Sequence, residues 1–340
     1  MSKQNSKVFI IAEAGVNHNG NRDLACRLID SAKDAQADAI KFQAFTARKL
    51  VTFNAEKAHY QKINTRESNI SQYEMLKKLE LSRDDFIFLK KYADQKGIIF
   101  LATPFDTDSV DFLEPLVDRY KISSGDCVNF PFLTYVAKKG KPIIVSTGMT
   151  TLDDVQKAIR TLKEYCEDIT LLHCTTNYPC PYEEVNLRAI KTLQKHFNLP
   201  VGYSDHTAGI EVSIAATALG ATVIEKHCTL DKNLEGPDHK ASLEPHELKM
   251  MVEAIRNIEK AMGDGVKKLE KGEIENKTVA QRSLVFSSSL KAGTILSESN
   301  VVIKRPGKGL PPEVFDDVIG KRLKYDVEAD DLVSWELLEK

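Results

Sequence analysis

Residues 8–18 read VFIIAEAGVNH, an unbroken apolar run that gives way within a few residues to Glu13, Asn17 and His18. A run that is apolar on both faces suits a strand buried on both sides, the kind found in parallel sheets covered by helices. Seven further runs have the same character: AIKF (39–42), IIFLA (98–102), RYKI (119–122), PIIVS (142–146), ITLLH (169–173), VGYS (201–204) and TVIEKH (222–227). The segments between them carry helical spacing, such as Leu24, Leu28 and Ala32 after the first run, and ELKMMVEAIRNIEKAMG (247–263) follows the last. Eight strand–helix units predict a (β/α)8 TIM barrel over residues 1–265.

Two stretches fall outside that rhythm. The interval 44–81 is too long for a simple crossover and predicts a loop plus an extra helix over one barrel face, a possible lid. GDGVKKLEKGEIENKTVAQRS (263–283) is charged and weakly apolar, so 266–280 reads as a linker. Residues 281–340 hold short β-like runs (SLVFSS, VVIKRP, RLKYDV, DLVSWELL) between turn-rich segments and predict a small β-rich domain. Such a domain is near the lower size limit for independent stability.

Composition narrows the function. Lys+Arg 47 against Asp+Glu 49 gives 47 − 49 = −2, so no bulk field attracts nucleic acid or an anionic membrane. No stretch approaches the roughly 20 apolar residues of a membrane span, and the start is too short and polar-flanked for a secretory signal. Six cysteines without a CxxC pair suggest reduced, mostly buried thiols and a cytoplasmic protein.

Barrel enzymes place their chemistry at the C-terminal ends of the strands. Here those ends read Glu13, Asn17 and His18; Lys41 and Gln43; Thr103; Lys121, Ser123 and Ser124; Ser146 and Thr147; His173, Thr175 and Tyr178; Ser204, Asp205 and His206; Glu225 and His227. Lys41 and Lys121, with Lys226 as a third candidate, and the hydroxyls of Thr103, Ser124, Ser146 and Ser204 are equipment for a phosphorylated or carboxylated anion. His206 and His227 end consecutive strands and can face one divalent metal, with Asp205 and Glu225 as further ligands or as partners of the ligands. Glu13 is placed to orient a hydroxyl or move a proton, with a salt bridge to Lys41 as the competing reading. Cys174 and Cys228 sit beside histidines but read as buried apolar residues. His59, His196 and His246 read as solvated.

In combination these motifs resemble the sialic acid synthase family: IAEAGVNHNG (11–20), KFQ (41–43), ATPF (102–105), KISSG (121–125), STGM (146–149), LLHCTTNYPCP (171–181), GYSDHT (202–207), EKHCTLD (225–231), GPDHKASLEP (236–245) and KRPGKG (304–309). The resemblance spans nearly the whole chain. It implies a metal-dependent barrel followed by an antifreeze-like (SAF) domain in a domain-swapped homodimer, condensing phosphoenolpyruvate with an N-acylated hexosamine and water to a nonulosonic acid and phosphate. It assigns a divalent metal, manganese first with magnesium or cobalt as alternatives, to His206 and His227. Phosphoenolpyruvate is assigned to Lys41, Thr103, Lys121, Ser124, Ser146, Thr176 and Ser204, and the sugar to Glu13, Gln43, Tyr178 and Asp238. Arg305 is implied to meet the N-acyl group in the neighbouring protomer. Asp126 stands where many members carry Glu, and Cys228 where Phe is common. The bacterial branch making N-acetylneuraminate or N,N′-diacetyllegionaminate resembles this chain more than pseudaminate synthases do. The other readings are a Schiff-base pyruvate aldolase using Lys41, Lys121 or Lys226, and a non-catalytic carbohydrate-binding protein.

Overall fold

A computed structural model describes residues 7–65 and 70–339. Eight strands carry the expected runs: β1 Phe9–Gly15, β2 Ala39–Ala44, β3 Ile99–Pro104, β4 Tyr120–Ile122, β5 Ile143–Ser146, β6 Ile169–Cys174, β7 Val201–Asp205 and β8 Val223–His227. Every ladder among them is parallel, in the order β3-β2-β1-β8-β7-β6-β5-β4. β3 and β4 pack side by side, so the sheet curls into a nearly closed TIM-type barrel. The (β/α)8 expectation holds.

The side-chain period of two explains what fills this barrel. One set of alternating positions is apolar low in the interior: Phe9, Ile11, Ala39, Leu101, Ile144, Leu172 and Val223 form their own cluster. Two residues further along the same strands stand Glu13, Lys41, Thr103, Ser146, Cys174 and Glu225, which line a cavity. The intervening residues, such as Ile10, Ile40, Phe100, Val145 and Ile224, pack outward in the main core beneath the helices.

The helices form for local reasons. α1 (Arg22–Asp34) is capped by the Asn21 side chain, which accepts from the Asp23 and Leu24 N–H groups, and it buries Ala25, Leu28, Ile29 and Ala32. The interval 44–81 differs from the expected loop and single helix: its described residues form α2 (Ala47–Leu50), α3 (His59–Asn64) and α4 (Gln72–Leu79). Residues 66–69 lie outside the described residues. A capping box between Ser71 and Glu74 starts α4. Below it, Val16, Phe45, Met75 and Leu79 form a separate apolar cluster with Leu50, Ile70, Leu76 and Phe105. This insertion therefore has its own small core.

The chain divides into two compact units, Met1–Asp264 and Gly265–Lys340. The second has β9 (Ser283–Phe286) and β10 (Val301–Lys304), paired antiparallel, around Leu284, Phe286, Val301, Val318, Leu323 and Val333. RLKYDV and DLVSWELL, expected as β-like runs, make only isolated bridges such as Leu290↔Val327 and Leu323↔Leu338. Gly293, Gly320 and Asp330 at positive φ turn the chain before longer ladders develop. The expected linker carries a short helix, Ile274–Ala280. Among the described residues no helix is long and apolar enough to cross a membrane. All six cysteines are free, and five of them are buried.

Candidate active site

A cavity of about 360 Å³ opens at the C-terminal end of the barrel, within the first unit. Its floor is a buried quartet of charges. Lys41 Nζ lies 2.6 Å from Glu13 Oε2 and 3.7 Å from Glu225 Oε2, and Lys121 Nζ lies 3.4 Å from Glu225 Oε1. The register places Glu13 opposite Lys41 on one side and His227 on the other. Glu13 forms the salt bridge to Lys41 and also lines the cavity.

The quartet splits its carboxyl groups. Burial, opposed by Lys41 and reinforced by Glu225, pushes Glu13 up to about 7. Burial also acts on Glu225, but Lys121 and Lys41 outweigh it and hold that carboxyl down at about 2. Burial lowers Lys121, whereas for Lys41 the opposing pull of Glu13 and Glu225 wins and its pKa rises. Glu13 is therefore the carboxyl that binds a proton first.

Hydroxyls surround the lysines. Lys41 Nζ donates to Thr103 Oγ1 at 3.0 Å, Lys121 Nζ to Ser146 Oγ at 2.7 Å, and Ser204 Oγ to Glu225 Oε1 at 2.9 Å. Ser124 Oγ accepts from the Gly148 N–H at 3.0 Å, and Thr176 Oγ1 is buried without a hydrogen-bond partner. A Cβ on residue 148 would fall 2.2 Å from Thr176 Oγ1 and 2.8 Å from Ser124 Oγ, so only glycine leaves these two hydroxyls room.

The wall beside the floor is aromatic. The His206 and His227 rings lie 5.4 Å apart, and the Tyr178 ring is 4.0 Å from His206 and 5.6 Å from His227. His206 Nδ1 sits 2.8 Å from the Thr175 carbonyl, which can only accept, so that nitrogen carries the proton and Nε2 is left as the base. Burial pushes His227 well below its ordinary pKa, and its Nδ1 is buried without a partner. For His206, burial is outweighed by Cys174 and the Thr175 carbonyl, and its pKa rises. Gln43 donates to Glu13 Oε1 at 3.2 Å. Asp238 lines the cavity with one carboxyl oxygen unpaired, and burial pushes it up to about 6.

Comparison with known proteins places this arrangement. The NeuB family model matches residues 28–267, and the SAF domain model matches residues 281–339. The chain belongs to the NeuB family. It is 49% identical to the N,N′-diacetyllegionaminic acid synthase of Campylobacter jejuni, over 96% of this chain and 99% of that protein. It is 47% identical to the Legionella pneumophila protein of the same name, over 97% and 94%. The crystal structure of the Leptospira borgpetersenii N-acetylneuraminic acid synthetase matches with a TM-score of 0.71 at 38% identity, over 80% of this chain and 90% of that one. The resemblance read from the motifs is confirmed, and the relatives are nonulosonic acid synthases.

Within this NeuB barrel, several residues at strand ends lie outside the cavity. Lys226 and Asp205 occupy the outward parity of β8 and β7 and form a fully buried pair at 3.0 Å. Lys226 Nζ also donates to the Thr207 carbonyl, while Asp205 accepts from Thr207 and Ser213. Neither binds an anion or a metal in the cavity. Glu225 pairs with the two lysines and lines the same cavity as His206 and His227. His173 contacts the Val185 carbonyl at 2.7 Å on the outer side, and His18 packs on Phe42, with burial pushing it down to about 4. Asn17 bonds the Cys228 carbonyl and Ser242, and Thr147 bonds the Leu172 carbonyl. Asp126 is held by Ser123 and Asn129. Cys228 is buried away from the cavity, but Cys174 lines it, 3.8 Å from His206 Nδ1. His59 and His196 are exposed, as is most of the His246 side chain. Arg305 is exposed after β10, in the second unit.

Tyr60 escaped the sequence reading. It lines the cavity and stacks on Tyr178, 4.9 Å between centroids at 25°. It lies in the 44–81 insertion, whose sequence has no strand end to mark it. Its only sequence signal is an aromatic residue in an interval too long for a simple crossover.

Proposed function

We propose that the chain condenses phosphoenolpyruvate with 2,4-diacetamido-2,4,6-trideoxymannose and water to give N,N′-diacetyllegionaminate and phosphate. The supporting observation is a two-lysine, hydroxyl-lined floor beside paired imidazoles, in a chain so close to two proteins named for that product. Lys41, Lys121 and the hydroxyls of Thr103, Ser124, Ser146, Thr176 and Ser204 bind the enol phosphate. With both carboxylates ionised the quartet is neutral overall, and a proton on Glu13 makes it net positive for an incoming anion. Gln43, Tyr178 and Asp238 meet the sugar.

In the reaction, C3 of the enol bonds to the aldehyde carbon while the aldehyde oxygen takes a proton from Glu13. Water adds at C2 and gives a proton back to Glu13. The C2–O bond to phosphate then breaks, the C2 hydroxyl passes its proton to the departing phosphate, and C2 becomes the ketone. Lys41 and Lys121 hold the enol phosphate so that C3 faces the aldehyde.

A divalent metal, manganese first with magnesium or cobalt as alternatives, is the group the family resemblance implies. The chemistry of the donors supports it: His227 is buried as a neutral base, and His206 has its Nδ1 proton on a carbonyl, as metal-binding imidazoles do. Among the described residues no set of three His, Cys, Asp or Glu forms a cation site, and His206 and His227, whose rings lie 5.4 Å apart, are the residues that would hold the ion. A metal held there supplies Lewis-acid polarisation of the aldehyde oxygen. Arg305 is assigned to the N-acyl group across a domain-swapped homodimer. The six free thiols suit a reducing, cytoplasmic setting.

A second reading, Schiff-base aldol chemistry, draws on Lys121, whose pKa burial lowers. Ser146 and Glu225 beside it favour the ammonium form instead. Borohydride with pyruvate should trap no lysine adduct. The sugar assignment is tested by kcat/KM: 2,4-diacetamido-2,4,6-trideoxymannose should exceed N-acetylmannosamine by at least about tenfold. A preference for N-acetylmannosamine would overturn it.

A further inference from the structure

Each of the two imidazoles in the cavity wall directly follows one member of a buried ion pair. Asp205 precedes His206, Lys226 precedes His227, and the parallel register of β7 and β8 sets Asp205 opposite Lys226. The pair closes at 3.0 Å on the outward face of the two strands, with neither side chain exposed. An ion pair therefore joins the two strand ends one residue before both histidines.

The hydrogen bonds of the pair converge on the residue after His206. Asp205 Oδ1 accepts from the Thr207 N–H at 2.9 Å and from Thr207 Oγ1 at 2.7 Å, and Lys226 Nζ donates to the Thr207 carbonyl at 2.6 Å. Ser213 Oγ donates to Asp205 Oδ2 at 2.7 Å, which ties the pair to the helix Glu211–Ala218. His206 is thus held between two anchored neighbours, while its carbonyl accepts from the Cys180 N–H at 2.8 Å and its Nδ1 donates to the Thr175 carbonyl at 2.8 Å. The His227 ring has less support of its own. Its Nδ1 is buried without a partner, so the strand end that carries it decides where it stands.

A buried ion pair adds little net stability beside well-packed apolar residues, because desolvation offsets most of the attraction. What this one does supply is a fixed relation between two strand ends. We propose that Asp205 and Lys226 are positioning residues that set the spacing and orientation of His206 and His227 for a divalent metal. The inference rests on the metal assigned to these histidines under the function proposed above. Groups that orient a metal ligand without touching the ion commonly change affinity by about 10- to 100-fold when removed.

The test titrates manganese alone with the full chain and reads the free ion by electron paramagnetic resonance, next to urea denaturation of the same variants. Asp205→Asn combined with Lys226→Met removes both charges together and so keeps most of the stability, yet it should bind manganese about tenfold or more weakly. Thr207→Val removes one bond to Asp205 and leaves both charges, and should weaken binding by at least about threefold. It decides the matter if the double variant does not fold. Val201→Ala, at the far end of β7 in the main core, loses stability without touching the pair and should stay within about twofold of the wild type. Wild-type affinity in the folded double variant or in Thr207→Val, or an equal loss in Val201→Ala, would overturn the positioning role while leaving the metal site standing. Manganese affinity that His206→Ala leaves unchanged would instead defeat the metal assignment itself, and this inference with it.

Discussion

Two carboxyl groups and two ammonium groups buried together define the site at the scale of residues. Glu13 and Glu225 are both fully desolvated, and the lysines separate their proton affinities. Because native Glu13 holds its proton more tightly than the unfolded chain does, its contribution to stability is complete below about 4.5 and is lost as pH rises through about 7. Glu13→Gln should flatten the fall in unfolding free energy across that window, measured by urea titration at several pH values. An unchanged slope would count against the raised pKa. If Glu13 is the proton donor, kcat/KM should fall above about pH 7. Glu13→Gln should remove that limb and slow turnover by about 10²- to 10⁴-fold. His206→Ala should lose tight manganese binding and activity while keeping a cooperative thermal transition, and near-normal turnover would refute its role as a donor. Glu13, Lys41, Lys121 and the two histidines were legible in the sequence because each ends a strand. The Glu13–Lys41 pairing was legible as well, but the partner of Lys121 was not, since Glu225 reaches across to lysines on two other strands.

At the scale of elements, the barrel was readable because strands buried on both faces leave continuous apolar runs, and all eight runs became strands. Parity within those strands separates residues that reach the cavity from those that do not. Ser204 and Glu225 point inward, whereas Asp205 and Lys226, their immediate neighbours, point outward and pair. Applying the period of two to Ile224-Glu225-Lys226 would have excluded Lys226 from the anion site. Lys226→Met leaves Asp205 as an unpaired buried charge and should cost about 3–5 kcal/mol. Asp205→Asn combined with Lys226→Met should recover most of that loss in chemical denaturation, and an additive loss in the double variant would contradict this account. Gly148→Ala should raise the KM for phosphoenolpyruvate, because its methyl would displace the Thr176 and Ser124 hydroxyls. The insertion was the least legible element. Its helices are short and their apolar residues pack on a small cluster of their own, so no long period announces them.

The whole molecule joins a barrel unit and a small β unit, and the SAF match falls on the latter. Its two-stranded ladder was visible as SLVF and VVIK, but the later runs are broken by turns into single bridges. The role proposed for Arg305 can be tested by complementation. His206→Ala and Arg305→Ala chains, each impaired alone, should regain activity when unfolded and refolded together, since a mixed dimer holds one intact barrel served by one intact arginine. Activity no greater than the sum of the two would contradict a site shared between protomers. The proposed chemistry is condensation with C–O cleavage. Its most direct test is turnover of phosphoenolpyruvate labelled with 18O at the bridging oxygen, in the presence of manganese and 2,4-diacetamido-2,4,6-trideoxymannose. The released phosphate should carry the label, together with formation of the nine-carbon acid; unlabelled phosphate, or no sugar-dependent phosphate at all, would contradict it.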